Sequence, residues 1–379
     1  MATVMIGADI CPIGDNVPLL QAGNKQALYH DLIPEMEKAD LRLANLECPF
    51  ITAPSPIRKT GPVFSASNDC INGIVAGGIN VLCLANNHIM DHGEAGLRNT
   101  LQTCARAGIS TVGAGENLAA ARRMLIQSVA GVRVAILAMA EHEFSIATPD
   151  SWGANPLDII DFVRNVRERR SEFDYLIVLF HGGDEFLVPS PRVQDTCRFL
   201  VEMGANAVIV QHPHDLGGYE NYRGGHIVYG QGALIMDEGI YRNRESFHEG
   251  YLVRLTIASD FKSEMEIVPF GQSDPTPGAR RLSGAREQRF REVLAKKCEQ
   301  VLDDAFVLTQ WLEFCERTKH GYLSALLGHN RILRKLNARG LMTRSLYGKQ
   351  QLLSVRNLVC CETHREAVET IFNHKLFRF

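Results

Sequence analysis

The chain has 379 residues, 45% of them hydrophobic and 22% charged, a composition that excludes wholesale disorder and fibrous classes. That length accommodates one large α/β domain with a smaller one, or two ordinary domains. The net charge of -3 excludes a general polyanion binder, but it averages +9 over residues 280–379 against -12 over the rest.

Residues 1–271 alternate short apolar runs with helical patterns, the arrangement of βαβ units around a sheet with parallel character. Strands are expected at Thr3–Ile6, Leu41–Ala44, Val81–Ala85, Thr111–Gly113, Val132–Ala138, Tyr175–Phe180, Ala207–Val210 and Ile227–Tyr229. Helical patterns fall between them at Glu94–Ala107, Leu157–Glu168 and Arg192–Met203, the last opened by Ser190-Pro191, a cap followed by proline at the first helical position. Gly108 and Gly204 stand where two of these helices should stop. Tyr251–Ile257 and Glu264–Val268 read as a closing hairpin.

A linker is expected at Gln272–Gly284, where prolines and glycines gather. Beyond it, Phe290, Leu294, Val301, Leu308, Leu312 and Cys315 recur at helical spacing and predict one long amphipathic helix. Shorter helical stretches follow at Leu323–Leu327, Ile332–Leu336 and Arg365–Phe372. Two units are therefore expected, 1–271 and a basic α-helical region, 285–379. Its basic face is expected to meet solvent or the acidic remainder of the chain, the functional alternatives being an anionic polymer, a membrane surface or a partner protein. Aromatic residues are not interleaved with the basic ones, so no nucleic-acid partner is expected.

No run approaches the roughly 18 apolar residues of a membrane span, and the start of the chain lacks the basic and apolar regions of a signal peptide. The expected location is cytoplasmic. The ten scattered cysteines contain no CxxC pair and read as buried, reduced thiols. Val112–Asn117 is glycine-rich but lacks the spacing and lysine of a phosphate loop, and reads as a turn into a helix at Leu118.

The informative residues sit at strand ends. Asp9 follows the first strand. Asn45 and Glu47 follow the second, and Asn86, Asn87 and His88 the third, with Asp91 three residues on. His181 ends the apolar run Leu176–Phe180, and His212 and His214 follow Ala207–Val210 as His-Pro-His. In open α/β sheets, ligand sites form outside the carboxyl ends of strands, so these five segments can converge. Carboxylates, imidazoles and a neutral amide oxygen suit borderline divalent ions, and a carboxylate between two cations would screen their repulsion.

The segments Gly7–Asp9, Ala44–Pro49, Lys59–Pro62, Leu84–Gly93, Val112–Asn117, His181–Phe186 and His212–Glu220 resemble the CapA family. That family is associated with poly-γ-glutamate and capsule synthesis and belongs to the calcineurin-like metallophosphoesterase superfamily. The resemblance covers roughly residues 3–257 and leaves out the C-terminal hundred. It implies an α/β fold with a metallophosphoesterase-type β-sandwich flanked by helices, and one or two divalent ions (Mn, Fe or Zn). By the same resemblance Asp9 would bind the first metal, Glu47 would bridge, Asn87 and His181 would bind the second, and His212 and His214 would divide between them. His88 would be the general acid or oxyanion contact and Asp91 its orienting carboxylate. Lys59 and Arg192 are candidates to hold an anionic substrate, and Asn45 and Asn86 are further candidate substrate contacts.

The chain departs from the family pattern at Cys11, where many superfamily members carry a histidine, and at Gln211, where the CapA pattern often has another. Cys11 reads as a packed thiol, with a thiolate ligand as the alternative. The expected activity is hydrolysis of a phosphoester by a metal-activated water. The alternatives are metal-assisted amide chemistry on a glutamyl or peptidyl substrate, and a non-catalytic metal-binding scaffold.

Overall fold

The structure is a computed structural model, and it describes residues 1–184, 189–241, 243–327 and 348–373. Two mixed sheets carry the fold. The larger runs in the order Ala279–Arg281, Ser263–Gln272, Glu249–Ile257, Ala2–Ile10, Leu41–Leu46, Val81–Cys83 and Ser110–Val112, with Ala233–Ile235 also paired to the strand Ala2–Ile10. The second runs Tyr219–Tyr222, Gly225–Val228, Ala207–Gln211, Tyr175–His181, Val132–Ala140 and Leu125–Val129. The four strands from Ala2–Ile10 to Ser110–Val112 are parallel, as are the four from Gly225–Val228 to Val132–Ala140, so their carboxyl ends gather at one rim of each sheet.

The alternation of side chains along each strand explains how the sheets meet. Val4, Ile6, Leu41, Leu43 and Val81 of the larger sheet share one apolar cluster with Val134, Ile136, Ile177, Leu179 and Ile209 of the second. The opposite faces are covered by separate clusters, one including Leu20, Leu28, Ile74 and Leu97, the other Phe162, Val166, Cys197 and Leu200 from the helices Ile159–Arg169 and Pro191–Glu202. Strands buried on both faces are expected to read as continuous apolar runs, as Tyr175–His181 does. The helix Pro191–Glu202 begins where Ser190 accepts a hydrogen bond from the Val193 amide, with proline at the first position.

The glycine-rich stretch does turn into a helix at Leu118, where the Asn117 side chain accepts from the Ala120 amide at 2.9 Å. Elsewhere the structure adjusts the expected elements. Gln272 still belongs to a strand, and the stretch expected as linker returns to the sheet edge as Ala279–Arg281. The long helix expected through Cys315 is two helices, Gly284–Val301 and Asp304–Leu327. Asp303 separates them, its carboxylate accepting from the Ala305 and Phe306 amides at 3.0 and 3.1 Å, so a local cap competes with helix continuation. Ile332–Leu336 lies outside the described residues.

The C-terminal region divides its packing. Phe290 and Leu294 of Gly284–Val301 enter the cluster between the two sheets. Trp311, Phe314, Cys315, Ala367 and Ile371 form a small core of their own. Part of the basic surplus meets acidic residues elsewhere in the chain, as in Arg286–Glu249 at 2.8 Å and Arg281–Glu35 at 2.8 Å.

Candidate metal centre

The parallel register sets strand ends side by side. Asp9 stands opposite Asn45, Asn45 opposite Cys83, and His181 opposite Gln211. The first strand is irregular in its pairing between Ile6 and Asp9, so its end breaks step with the ladder just where Asp9 emerges. Glu47 follows its strand at once and stays tied to the first, its amide donating to the Ile10 carbonyl at 2.9 Å. Five separate segments thus deliver their polar residues to one rim.

The side chains meet there. Glu47 Oε2 is 3.1 Å from His214 Nε2, and Glu47 Oε1 is 3.4 Å from His181 Nε2 and 3.9 Å from His212 Nδ1. Asp9 Oδ2 is 3.7 Å from His214 Nε2. His181 Nε2 also lies 3.0 Å from Asn87 Oδ1. Two groups of three can each surround one cation, Glu47 with His181 and His212, and Asp9 with Glu47 and His214. Glu47 belongs to both, which is the geometry of a bridging carboxylate. Asp9, Glu47, His181 and His214 are all at most 3% exposed.

Burial and neighbouring charge give the site its electrostatics. Burial, reinforced by the Glu47 charge, pushes the Asp9 carboxyl up to about 7. Burial also opposes ionisation of Glu47, but the imidazoles of His214, His212 and His181 outweigh it and hold this carboxyl well below the usual range. Burial holds His181 well below its ordinary value and so keeps it neutral, the form that binds metals. The imidazoles compensate Glu47 but leave the buried Asp9 carboxyl disfavoured as an anion, and a divalent cation would supply the missing positive charge. The donor set therefore fits the expected ions.

The backbone of the His-Pro-His segment takes part. The His212 amide donates to Asp9 Oδ2 at 3.0 Å, and His212 has a φ of 93°, a region non-glycine residues rarely occupy. Pro213 further restricts the residue before it. The two imidazoles are thus carried on a stiff turn, with ring centroids 6.0 Å apart.

A second constellation adjoins the first. His88 Nδ1 is 2.7 Å from Asp91 Oδ2, while Lys59 Nζ donates to Asp91 Oδ1 at 2.7 Å and lies 3.3 Å from His88 Nδ1. The Phe64 amide donates to Asp91 Oδ2 at 2.7 Å, so this buried carboxylate is fixed from three sides. A cavity of about 580 Å³ opens over both constellations and is lined by Lys59, Phe64, His88, His212 and His214 among others.

Three residues expected at the substrate have other partners. Asn45 donates to Asp9 Oδ1 at 2.8 Å, and Asn86 donates to Asn45 Oδ1 at 3.0 Å and to the Leu46 carbonyl at 2.8 Å. Asn86 Oδ1 in turn accepts from the His88 amide at 3.1 Å, so the two asparagines form a buried relay that orients Asp9 and His88. Arg192 sits apart from the cluster, between Glu141 at 2.5 Å and Glu366 at 3.0 Å, and also donates to Thr363 Oγ1 at 2.8 Å. Cys11 is fully buried in an apolar cluster with Cys48, and burial pushes its thiol well up. Neither group of three around Glu47 includes it.

Sequence reasoning missed the cavity wall from the C-terminal region. Asn357, Cys361 and His364 line the cavity from 348–373, with Glu143 from the loop after Val132–Ala140. Asn357 and Cys361 lie in a helical pattern with nothing to mark them, although Cys361 and His364 stand three positions apart, a spacing that puts both on one side of a helical turn.

The chain is similar over 260 residues to the capsule biosynthesis protein CapA of Bacillus anthracis, with 27% identity across 66% of this chain and 62% of that protein. It is 31% identical over 261 residues to a "Probable polyglutamine synthesis accessory protein" of Mycobacterium tuberculosis, across 64% of each. The matches thus span less than two thirds of the length of these relatives. The crystal structure of TT1561 from Thermus thermophilus superposes on 70% of this chain and 97% of its own, with a TM-score of 0.41 and 12% identity. Residues 9–238, more than half of the chain, match the family described as "Bacterial capsule synthesis protein PGA_cap", and they carry every residue of the centre from Asp9 to His214. With both the match and the ligand cluster falling on the same segment, the chain belongs to the PGA_cap family of bacterial capsule synthesis proteins.

Proposed function

We propose that the chain is a metal-dependent hydrolase that cleaves a phosphoester during synthesis of a capsule or poly-γ-glutamate-type polymer. The two-sheet architecture then corresponds to the metallophosphoesterase-type sandwich, with residues 1–271 as its unit and 285–379 as a basic helical addition. The observation that carries the reading is the pairing of two ligand groups sharing Glu47 with an imidazole, His88, that belongs to neither. A scaffold needs the ligands but has no use for a separately oriented histidine.

Asp9, Glu47, Asn87, His181, His212 and His214 would hold one or two divalent ions, which when bound supply a water of lowered pKa and an electrophilic pull on the attacked group. The remaining work falls to the chain. Asp91 fixes the His88 tautomer by accepting a hydrogen bond from Nδ1, which leaves Nε2 as the atom that exchanges a proton with the leaving group. Lys59 neutralises Asp91 and keeps it from drawing the imidazole proton away. Asn45 and Asn86 hold Asp9 and the His88 backbone in register. The cavity admits a substrate of modest size beside His88.

A second reading keeps the site and changes the bond cleaved, to an amide of a glutamyl or peptidyl substrate. The names of the relatives, which speak of capsule and polyglutamine synthesis, favour it. Metal analysis of protein purified without chelator, joined to a screen of phosphoesters and γ-glutamyl amides, separates the two. His181→Ala is expected to lose metal and activity together. His88→Gln is expected to keep its metal and lose about 10²–10⁴-fold in kcat. Full activity in either variant would refute the hydrolase reading, and turnover of glutamyl amides alone would select the second.

A further inference from the structure

The cavity wall beside the Glu47 cluster, where Glu143 adjoins His181 and His212, carries a ligand set of another kind. Glu143, Cys361 and His364 each present one donor atom, a carboxylate oxygen, a thiol sulfur and an imidazole nitrogen, and these atoms all lie within 4.8 Å of one another. None of the three belongs to the groups around Glu47, and Cys361 and His364 lie beyond the family-matched segment.

The backbone around these residues is already fixed. Cys361 occupies the joint between the helices Lys349–Cys360 and Glu362–Asn373, and His364 follows in the first turn of the second helix, which brings its imidazole within 4.8 Å of the Cys361 sulfur. Glu143 is brought to them by its neighbours. The His142 amide donates to Glu362 Oε2 at 2.8 Å, and the His142 ring pairs with the same carboxylate. Thr363 Oγ1 donates to Glu141 Oε2 at 2.7 Å, and Arg192 links Glu141 to Glu366. Contacts on both sides of the three residues thus lock the two segments together.

The donor set suits a cation. Cys361 is 2% exposed, its thiol donates to Glu141 Oε2 at 3.5 Å in a carboxylate pocket that Arg192 already balances, and Glu143 brings a second carboxylate and His364 an imidazole to the same sulfur. Ligands held at 2.0–2.3 Å around a tetrahedral ion stand roughly 3.3–3.8 Å apart, so modest side-chain rotations close the set around an ion. Mixed sulfur, nitrogen and oxygen donors select zinc over magnesium, calcium or manganese.

We propose that Glu143, Cys361 and His364 form a separate zinc site that fastens the C-terminal helices to the cavity wall, with a fourth position open towards the cavity. Its occupancy does not depend on the reading of the Glu47 cluster. The thiolate provides a signature that the Glu47 cluster cannot give, since none of that cluster's ligands is a cysteine.

The full-length protein, stripped with chelator, is titrated with Co²⁺ and the near-ultraviolet thiolate-to-cobalt charge-transfer band is followed. The wild type is expected to develop the band and to lose it when Zn²⁺ is added in excess of all the metal positions. Cys361→Ser is expected to abolish the band and to bind one equivalent of Zn²⁺ fewer in equilibrium dialysis. Glu143→Gln, which leaves the thiol and the helices in place, is expected to require more Co²⁺ and so serves if the serine variant fails to fold. Cys360→Ser, Asp9→Asn and His181→Ala are expected to retain the band. A wild type without the band, a band that survives Cys361→Ser, or one that disappears in His181→Ala overturns the proposal.

Discussion

Asp9 is a carboxylate placed where ionisation is costly. Burial raises its pKa from 3.8 to about 7, so in metal-free protein the unfolded chain gives up this proton at a lower pH than the folded one. The contribution of Asp9 to the stability of the stripped protein, read as the difference from Asp9→Asn, is therefore expected to fall as pH rises from about 4 to about 7 and then to level off. The loss is on the order of 2–4 kcal/mol. Asp9→Asn removes the charge, so at pH 8 the stripped variant is expected to melt above the stripped wild type while binding metal less tightly. Thermal melts of both proteins with and without chelator measure this, and a gap between stripped wild type and Asp9→Asn that does not change between pH 4 and 7 would contradict it. That Asp9, Glu47, His181, His212 and His214 gather at one place was readable because each follows an apolar run that ends abruptly in polar residues. Arg192 was not readable in the same way. It looks like a basic residue at an exposed helix start, but its carboxylate partners lie 51 and 174 residues away. Nothing local distinguishes a guanidinium waiting for substrate from one already paired.

Among elements, the glycines of the His-Pro-His segment have a packing reason that spacing alone does not reveal. A Cβ on Gly218 would lie 2.6 Å from the Lys297 carbonyl oxygen, so this backbone and the helix Gly284–Val301 touch without room for a side chain. Gly218→Ala is expected to cost about 1–3 kcal/mol, read from urea denaturation, because the atom in the way is backbone and cannot swing aside. The joint between the domain and the helix Glu362–Asn373 is expected to respond to pH. The hydrogen bond to Glu362 raises the His142 pKa above 6.5, so the stabilisation this histidine adds is complete below that value and fades as pH climbs through the raised one. The gap in melting temperature between wild type and His142→Gln is expected to narrow above pH 6.5. A gap that widens there would contradict the pairing. The strands were largely legible from their apolar runs and the helices from their caps. The break at Asp303 was not, since apolar spacing continues straight through a cap that only side-chain hydrogen bonding reveals.

At the scale of the molecule, the opposed charges of the two ends of the chain suggest an electrostatic attachment, but the structure supplies a stronger one. The Arg286–Glu249 pair is partly exposed and is screened by salt, whereas Phe290 is 1% exposed in the cluster between the sheets. Protection of Gly284–Val301 from proteolysis is thus expected to persist at high salt, while Phe290→Ala is expected to cost about 3–5 kcal/mol. Release of that helix by salt alone would reverse the order of the two effects. The α/β class and the rim where Asp9, Glu47 and the histidines gather followed from the alternation of strands and helices. The attachment of the C-terminal region did not, because it depends on a helix entering a core laid down by strands as far back as residue 2.

The pairing of the first strand has a bearing on biosynthesis. Ala2–Ile10 lies between Leu41–Leu46 and Glu249–Ile257, with Ala233–Ile235 beside Asp9. Ala2–Ile10 therefore lacks its antiparallel neighbour until about 240 further residues have been made. Contacts of such long sequence separation form slowly. Until they do, the nascent chain carries an unpaired apolar edge, the kind of surface that chaperones shield. Asp9 sits on that strand, so its place beside Ala233 waits for chain made about 220 residues later.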